Sequence, residues 1–247
     1  MENALLVGLS QQTALRRQMD IVANNLANMS TTGFKSETPI FEDFVMPLAS
    51  GGQFSGGANE IRYVRDSALF RSFAEGPLNQ TGNALDMAIN GKGWFVIGGP
   101  DGDLYTRNGN FRLDLAGQIV TSDGLPVLTE DGPIVIGEGE SDLTITADGL
   151  VTTSEGTKGQ LNIVEFENQA LLQKQASSVY SAEGLDAIPS TDFRITQGAL
   201  EGSNVNAISE ITEMIAVTRA YTKAAEVLDS TNTLRRRAIE TLGQAPA

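Results

Sequence analysis

The two ends of the chain carry apolar residues in stripes too narrow for a helix to stand alone. From residue 4 to residue 28 the spacing is helical, with Leu5, Leu9, Leu15, Met19, Val22 and Leu26 on one side. Within that run Leu5, Gln12, Met19 and Leu26 recur every seventh residue, with Leu15 and Val22 between them, a heptad seam with one polar intruder. At 1.5 Å per residue the predicted helix spans about 37 Å. The C-terminal segment repeats the signal. Ile211, Thr218, Ala225, Asn232 and Ile239 form one series, and Met214, Tyr221, Leu228, Arg235 and Leu242 form the other. Asn204 or Asn206 stands where this helix needs an N-cap, Glu210 and Glu213 come early, and Arg235, Arg236 and Arg237 come late, as the helix dipole prefers. Propensity alone holds such helices weakly in water. They therefore pair with each other or find partners on other chains, and head-to-tail pairing between identical subunits generates a helical filament.

Between the ends the texture changes. Residues 31–75 read as an extended, Gly-rich connector, with Gly51-Gly52 and Gly56-Gly57, and Pro39 and Pro47 argue against a long helix there. Residues 76–198 are built of short β-branched or aromatic runs: Trp94 to Ile97, Gln118 to Thr121, Pro133 to Ile136, Leu143 to Thr146 and Leu161 to Phe166. Asp-Gly pairs at 101–102, 123–124, 131–132 and 148–149, and Asn-Gly pairs at 90–91 and 108–109, are hairpin chemistry. The expected fold is α+β: a helix in 1–30, the connector, an antiparallel β domain over 76–198, and a second helix in 199–247. Coiled-coil-like packing of the helices is expected.

Composition narrows the function. The net charge of −14 repels phosphate backbones and anionic lipid heads, which argues against nucleic acid as a partner. The chain has neither cysteine nor histidine. Thiolate zinc sites, cysteine nucleophiles, imidazole ligands and a Ser-His-Asp triad are thereby excluded. The first residues lack the basic start and long apolar run of a cleaved signal. No window is long and apolar enough for membrane insertion, so export without a cleaved signal is the expectation.

The stretch ANNLANMSTTGFK, residues 23–35, concentrates Asn24, Asn25 and Asn28 where the first helix must still hold its packing face. One reading makes Asn28 a helix C-cap and Gly33 a turn glycine. Another places Asn24, Asn25 and Asn28 in a tightly packed seam, where an amide fixes register, with Gln12 and Asn232 in similar parts. The two readings concern different faces.

This stretch resembles the N-terminal signature of the bacterial flagellar rod and hook family. Further matching blocks run in order along the chain: TGNALDMAINGKGWFVI at 81–97, YTRNGNFRLDLAGQIVTSDGLPVL at 105–128, QGALEGSNVNAISEITEMI at 197–215 and TRAYTKAAEVLDSTNTL at 218–234. The resemblance implies a non-enzymatic, exported subunit of the periplasmic rod. Its partners would be copies of itself, other flagellar rod proteins and the flagellar export apparatus. Its terminal segments would fold together in the assembled cylinder with the β domain outside. Its length and its start are most similar to proximal-rod members, with distal-rod members the alternative. The implied assembly interface comprises Leu5, Leu9, Leu15, Met19, Val22, Asn24, Asn25, Leu26, Asn28, Ile211, Met214, Tyr221, Leu228 and Asn232.

Other motifs fail on chemistry. Asp101-Gly102-Asp103 suggests a calcium loop, but Tyr105 and Arg112 stand where oxygen ligands are required. Gly91-Lys92-Gly93 lacks the third glycine of a dinucleotide fingerprint and runs into a strand. A carboxylate pair for sugar hydrolysis would want stacking aromatics, and the chain has one Trp and four Tyr. A secreted binding module with paired terminal helices is the remaining alternative. No cofactor or metal is expected.

Overall fold

The computed structural model describes residues 2–47 and 60–243, and the chain divides into two compact units. One gathers helix α1 (Glu2–Ala27), strands β1 (Glu37–Pro47) and β2 (Glu60–Arg71), and helix α2 (Ala207–Gly243). The other runs through residues 27–36 and 71–205. Both terminal helices form where the periodicity predicts them. The segment read as a connector holds β1 and β2, the two longest strands, which pair as a two-stranded sheet. Gly51-Gly52 and Gly56-Gly57 lie outside the described residues.

Asn206 caps α2: its Oδ1 accepts from the N–H groups of Ile208 (3.1 Å) and Ser209 (3.2 Å). Asn204 has a different task. Its Oδ1 accepts from Ser36 N–H (2.8 Å), and its Nδ2 donates to the carbonyls of Ser72 (2.8 Å) and Ala74 (3.0 Å). At 37 residues, α2 is about 55 Å long.

The second unit is antiparallel β with one short 3-10 helix, Gln169–Leu171. Its strands are β3 (Leu78–Gln80), β4 (Met87–Gly91), β5 (Trp94–Gly99), β6 (Gly102–Thr106), β7 (Phe111–Leu113), β8 (Ile119–Thr121), β9 (Leu128–Thr129) and β10 (Gly132–Pro133). There follow β11 (Thr144–Ile145), β12 (Leu150–Thr153), β13 (Gly156–Gln160), β14 (Ile163–Glu165), β15 (Gln173–Ala176), β16 (Val179–Ser181), β17 (Ile188–Pro189), β18 (Phe193–Gln197) and β19 (Ala199–Glu201). The largest sheet runs β15-β16-β6-β5-β14-β17. The unbroken apolar run Trp94–Ile97 now has its reason, since β5 is buried on both faces. Phe95 and Ile97 enter one core with Phe111, Ile119, Val127 and Ile163, while Trp94 and Val96 enter another with Tyr105, Val164, Phe166 and Tyr180. Trp94 and Tyr180 meet edge to face with centroids 5.1 Å apart.

The four Asp-Gly pairs fall in turns with glycine φ between +83° and +137°. The two Asn-Gly pairs depart from the hairpin expectation. Asn90-Gly91 ends β4 within its ladder to β18, and Asn108-Gly109 links β6 to β7, which belong to different sheets. Asn108 uses its side chain instead, accepting from Asn110 N–H at 3.1 Å.

A buried ionic cluster ties this unit's separated segments together. Glu201, 1% exposed, receives Lys35 Nζ at 2.7 Å and Arg107 Nη1 at 3.4 Å, and accepts from Gly76 N–H at 3.0 Å. Lys35 also donates to the Ala74 carbonyl at 2.7 Å, and Arg107 to the Gly91 carbonyl at 2.9 Å. Burial pulls the Lys35 ammonium below its ordinary pKa, with Glu201 opposing that shift. Arg107 is lowered for the same reason, again opposed by Glu201.

Candidate assembly interface

In the unit that holds both helices, α1 and α2 run antiparallel and meet at three pairs, Gln18 with Glu213, Asn25 with Glu210 and Gly8 with Leu228. Gln18 Nε2 donates to Glu213 Oε1 (2.5 Å), and Asn25 Nδ2 donates to Glu210 Oε2 (3.3 Å). Further along, Leu228 covers Gly8 so closely that a Cβ there would come within 2.5 Å of a Leu228 methyl. The sheet joins the same unit through Arg17, whose Nε lies 3.2 Å from Asp66 Oδ2.

Asn25 answers the question raised by its neighbours. It is 2% exposed, and its amide pairs with Glu37 as one strand residue pairs with another, donating to the Glu37 carbonyl (2.8 Å) and accepting from the Glu37 N–H (3.0 Å). The same side chain thus holds the start of β1 and reaches α2. Asn24 is exposed. Asn28 lies one residue past the end of α1, where its carbonyl accepts from Thr31 N–H (3.1 Å) and its Oδ1 from the Thr31 hydroxyl (3.1 Å). Gly33 has φ +66° and donates its N–H to the Glu201 carbonyl at 2.9 Å. The seam reading of three asparagines therefore narrows, within one chain, to Asn25.

The anticipated stripe is shared out unevenly. Val22 is buried; Leu5, Leu15, Met19, Leu26, Met214, Tyr221 and Leu228 are half-buried; Leu9, Ile211 and Asn232 are exposed. Among the described side chains, those that α1 buries are Ala14, Ile21, Val22 and Asn25; the seven-residue frame includes Val22 alone, and Asn25 belongs to the asparagine stretch. Their spacing follows the straight helix period of 3.6 rather than 3.5, because α1 packs on a helix and on a sheet together. On α2, Val217 is buried, whereas Ile208, Ile211, Ile215, Val227, Leu234 and Ile239 are 47–79% exposed. The described intrachain packing thus leaves apolar side chains of α2 uncovered on more than one face: Ile208, Ile211 and Ile215 share one, and Val227 and Leu234 lie about a third of a turn round from it.

Three family descriptions match this chain: "Flagella basal body rod protein" over residues 5–35, "Flagellar hook protein FlgE/F/G D1 domain" over 88–153, and "Flagellar basal body rod FlgEFG protein C-terminal" over 196–241. The flagellar basal-body rod protein FlgF of Caulobacter vibrioides is 38% identical over 246 residues, covering 99% of each chain. FlgF of Rhizobium meliloti is 33% identical over 246 residues, covering 98% of this chain and 99% of its own. The flagellar basal-body rod protein FlgG of Agrobacterium fabrum is 35% identical, covering 91% of this chain and 94% of its own.

Proposed function

This chain belongs to the flagellar basal-body rod protein family, and on that premise we propose that it builds the proximal rod through its two terminal helices. As a member of that family it is a structural subunit and not an enzyme. The relatives named FlgF, matched from end to end, support the proximal position. The observation that carries the mechanism is the exposed apolar residues of α2, Ile208, Ile211 and Ile215 on one face and Val227 and Leu234 on another, the kind of surface at which proteins meet. Stacked subunits bury these side chains together with Leu9, so assembly completes a packing that the free chain leaves half-made. Neighbours in the shaft are copies of this chain and other rod proteins, and the shaft transmits torque across the periplasm. The flagellar export apparatus delivers the subunit, whose helices fold firmly only on incorporation.

Basal bodies isolated from cells carrying a tagged copy test this reading. The tagged chain is expected in the rod fraction, and deleting the gene should stop assembly before the hook. Hooked, motile cells without the gene would end the proposal.

A further inference from the structure

We propose that the free edge of β1 in one copy lies beside the free edge of β2 in the next, filling a groove between β2 and α1. This rests on the reading of the chain as a rod subunit. Among the described residues no third strand flanks either β1 or β2, so each offers an edge of backbone donors and acceptors. A groove of about 730 Å³ runs between Leu6, Leu9 and Thr13 of α1 and residues 63–66 of β2. Alternate residues of a strand point to opposite faces, so a groove that touches four consecutive residues follows the strand's edge rather than one face. A partner that completes a ladder is therefore a strand. The exposed α2 residues cannot serve here, because a helix has spent its own main-chain groups.

β1 supplies what the groove asks for. Ile40, Phe44 and Val45 are 41–47% exposed, and Leu6 and Leu9 opposite them are 50% and 57% exposed. Residues 40–45 carry Glu42 and Asp43 and no base, while the groove carries Arg17 and Arg65 against Asp66. Each copy offers both the strand and the groove, so the contact is heterologous and propagates along a filament without closing.

The chain has no cysteine, so introduced thiols report unambiguously. Two full-length copies with different tags, one Phe44→Cys and one Val64→Cys, are expressed together, and isolated basal bodies are mildly oxidised. Ile40→Cys scans the register. Glu42→Cys and Arg65→Cys, both at exposed positions, replace any variant whose tag shows it does not enter the rod. A mixed-tag dimer in several-fold excess over either same-tag dimer is the expected result. Rods that contain both tags but give no mixed dimer at any of these positions would overturn the edge pairing and leave the rod assignment intact. So would a stronger cross-link from Val64→Cys to Ile211→Cys. Absence of both tags from basal bodies, with untagged chain also missing, would sink the rod assignment and the pairing together.

Discussion

Asn25 buries an amide with its partners on one main-chain residue, and this makes its loss costly. Asn25→Ala strips two hydrogen bonds from the Glu37 backbone inside a closed site, and we expect a loss of about 2 kcal/mol in urea unfolding. Asn232→Ala, at an exposed position, should stay within about 0.5 kcal/mol. Gly33 is constrained twice, by φ +66° and by the Asn108 backbone nitrogen 2.6 Å from where a Cβ would sit. At Lys35 the sign of the pH effect follows from linkage. Its ammonium binds its proton less tightly folded than unfolded, so between the lowered value and the ordinary 10.5 the unfolded chain holds more protons. This contribution to stability is therefore least below the lowered value and grows as pH rises through that window. Tyr105 opposes it, since burial and Asp103 raise its pKa. The stability gap between wild type and Lys35→Met should widen on going alkaline, as followed by denaturant melts; a narrowing gap contradicts the assignment. Glu201→Gln weakens the partner of two buried cations and should cost about 3 kcal/mol or more. The terminal stripes were readable as pattern, but no local pattern announced that Lys35, Arg107 and Glu201 would meet. They lie 72 or more positions apart, and single charged residues carry no periodicity.

At the scale of elements, the helices and most strands follow from period and turn chemistry. The face each helix buries does not. A seven-residue frame assumes one supercoiled partner helix, and α1 has a helix and a sheet, so burial spreads to Ala14 and Ile21. β1 and β2 escaped notice because acids, arginines and prolines break the alternation that marks a strand. A proline at Met19 or Leu228 should break its helix and abolish incorporation into basal bodies. The lone Trp94 sits in the β-rich unit, so its near-UV signal should survive either change. Unimpaired motility in both variants would contradict the role given to the helices. Amides of α1 and α2 should exchange faster than those of β5 and β6 in the free chain and slow down in isolated rods.

For the whole molecule, the chain passes between its two units at 26–27, 36–37, 70–71 and 205–206. The short piece 27–36 belongs to the β-rich unit although a helix and a hairpin flank it in sequence. It brings Phe34, 1% exposed, and the Lys35 partner of Glu201. A chain of residues 27–205 should therefore unfold cooperatively at a higher temperature than one of residues 37–205, and equal melting temperatures would remove that role from the segment. The sequence by itself determined the helix at each end, the β texture between them and the absence of histidine and thiol chemistry, because periodicity, turn residues and composition act over a few neighbours. Only the tertiary structure decided that Asn25 serves a strand, that distant charges share one buried site, and which apolar side chains stay uncovered. Those outcomes depend on which segments meet, and meeting is set by the packing of the whole chain.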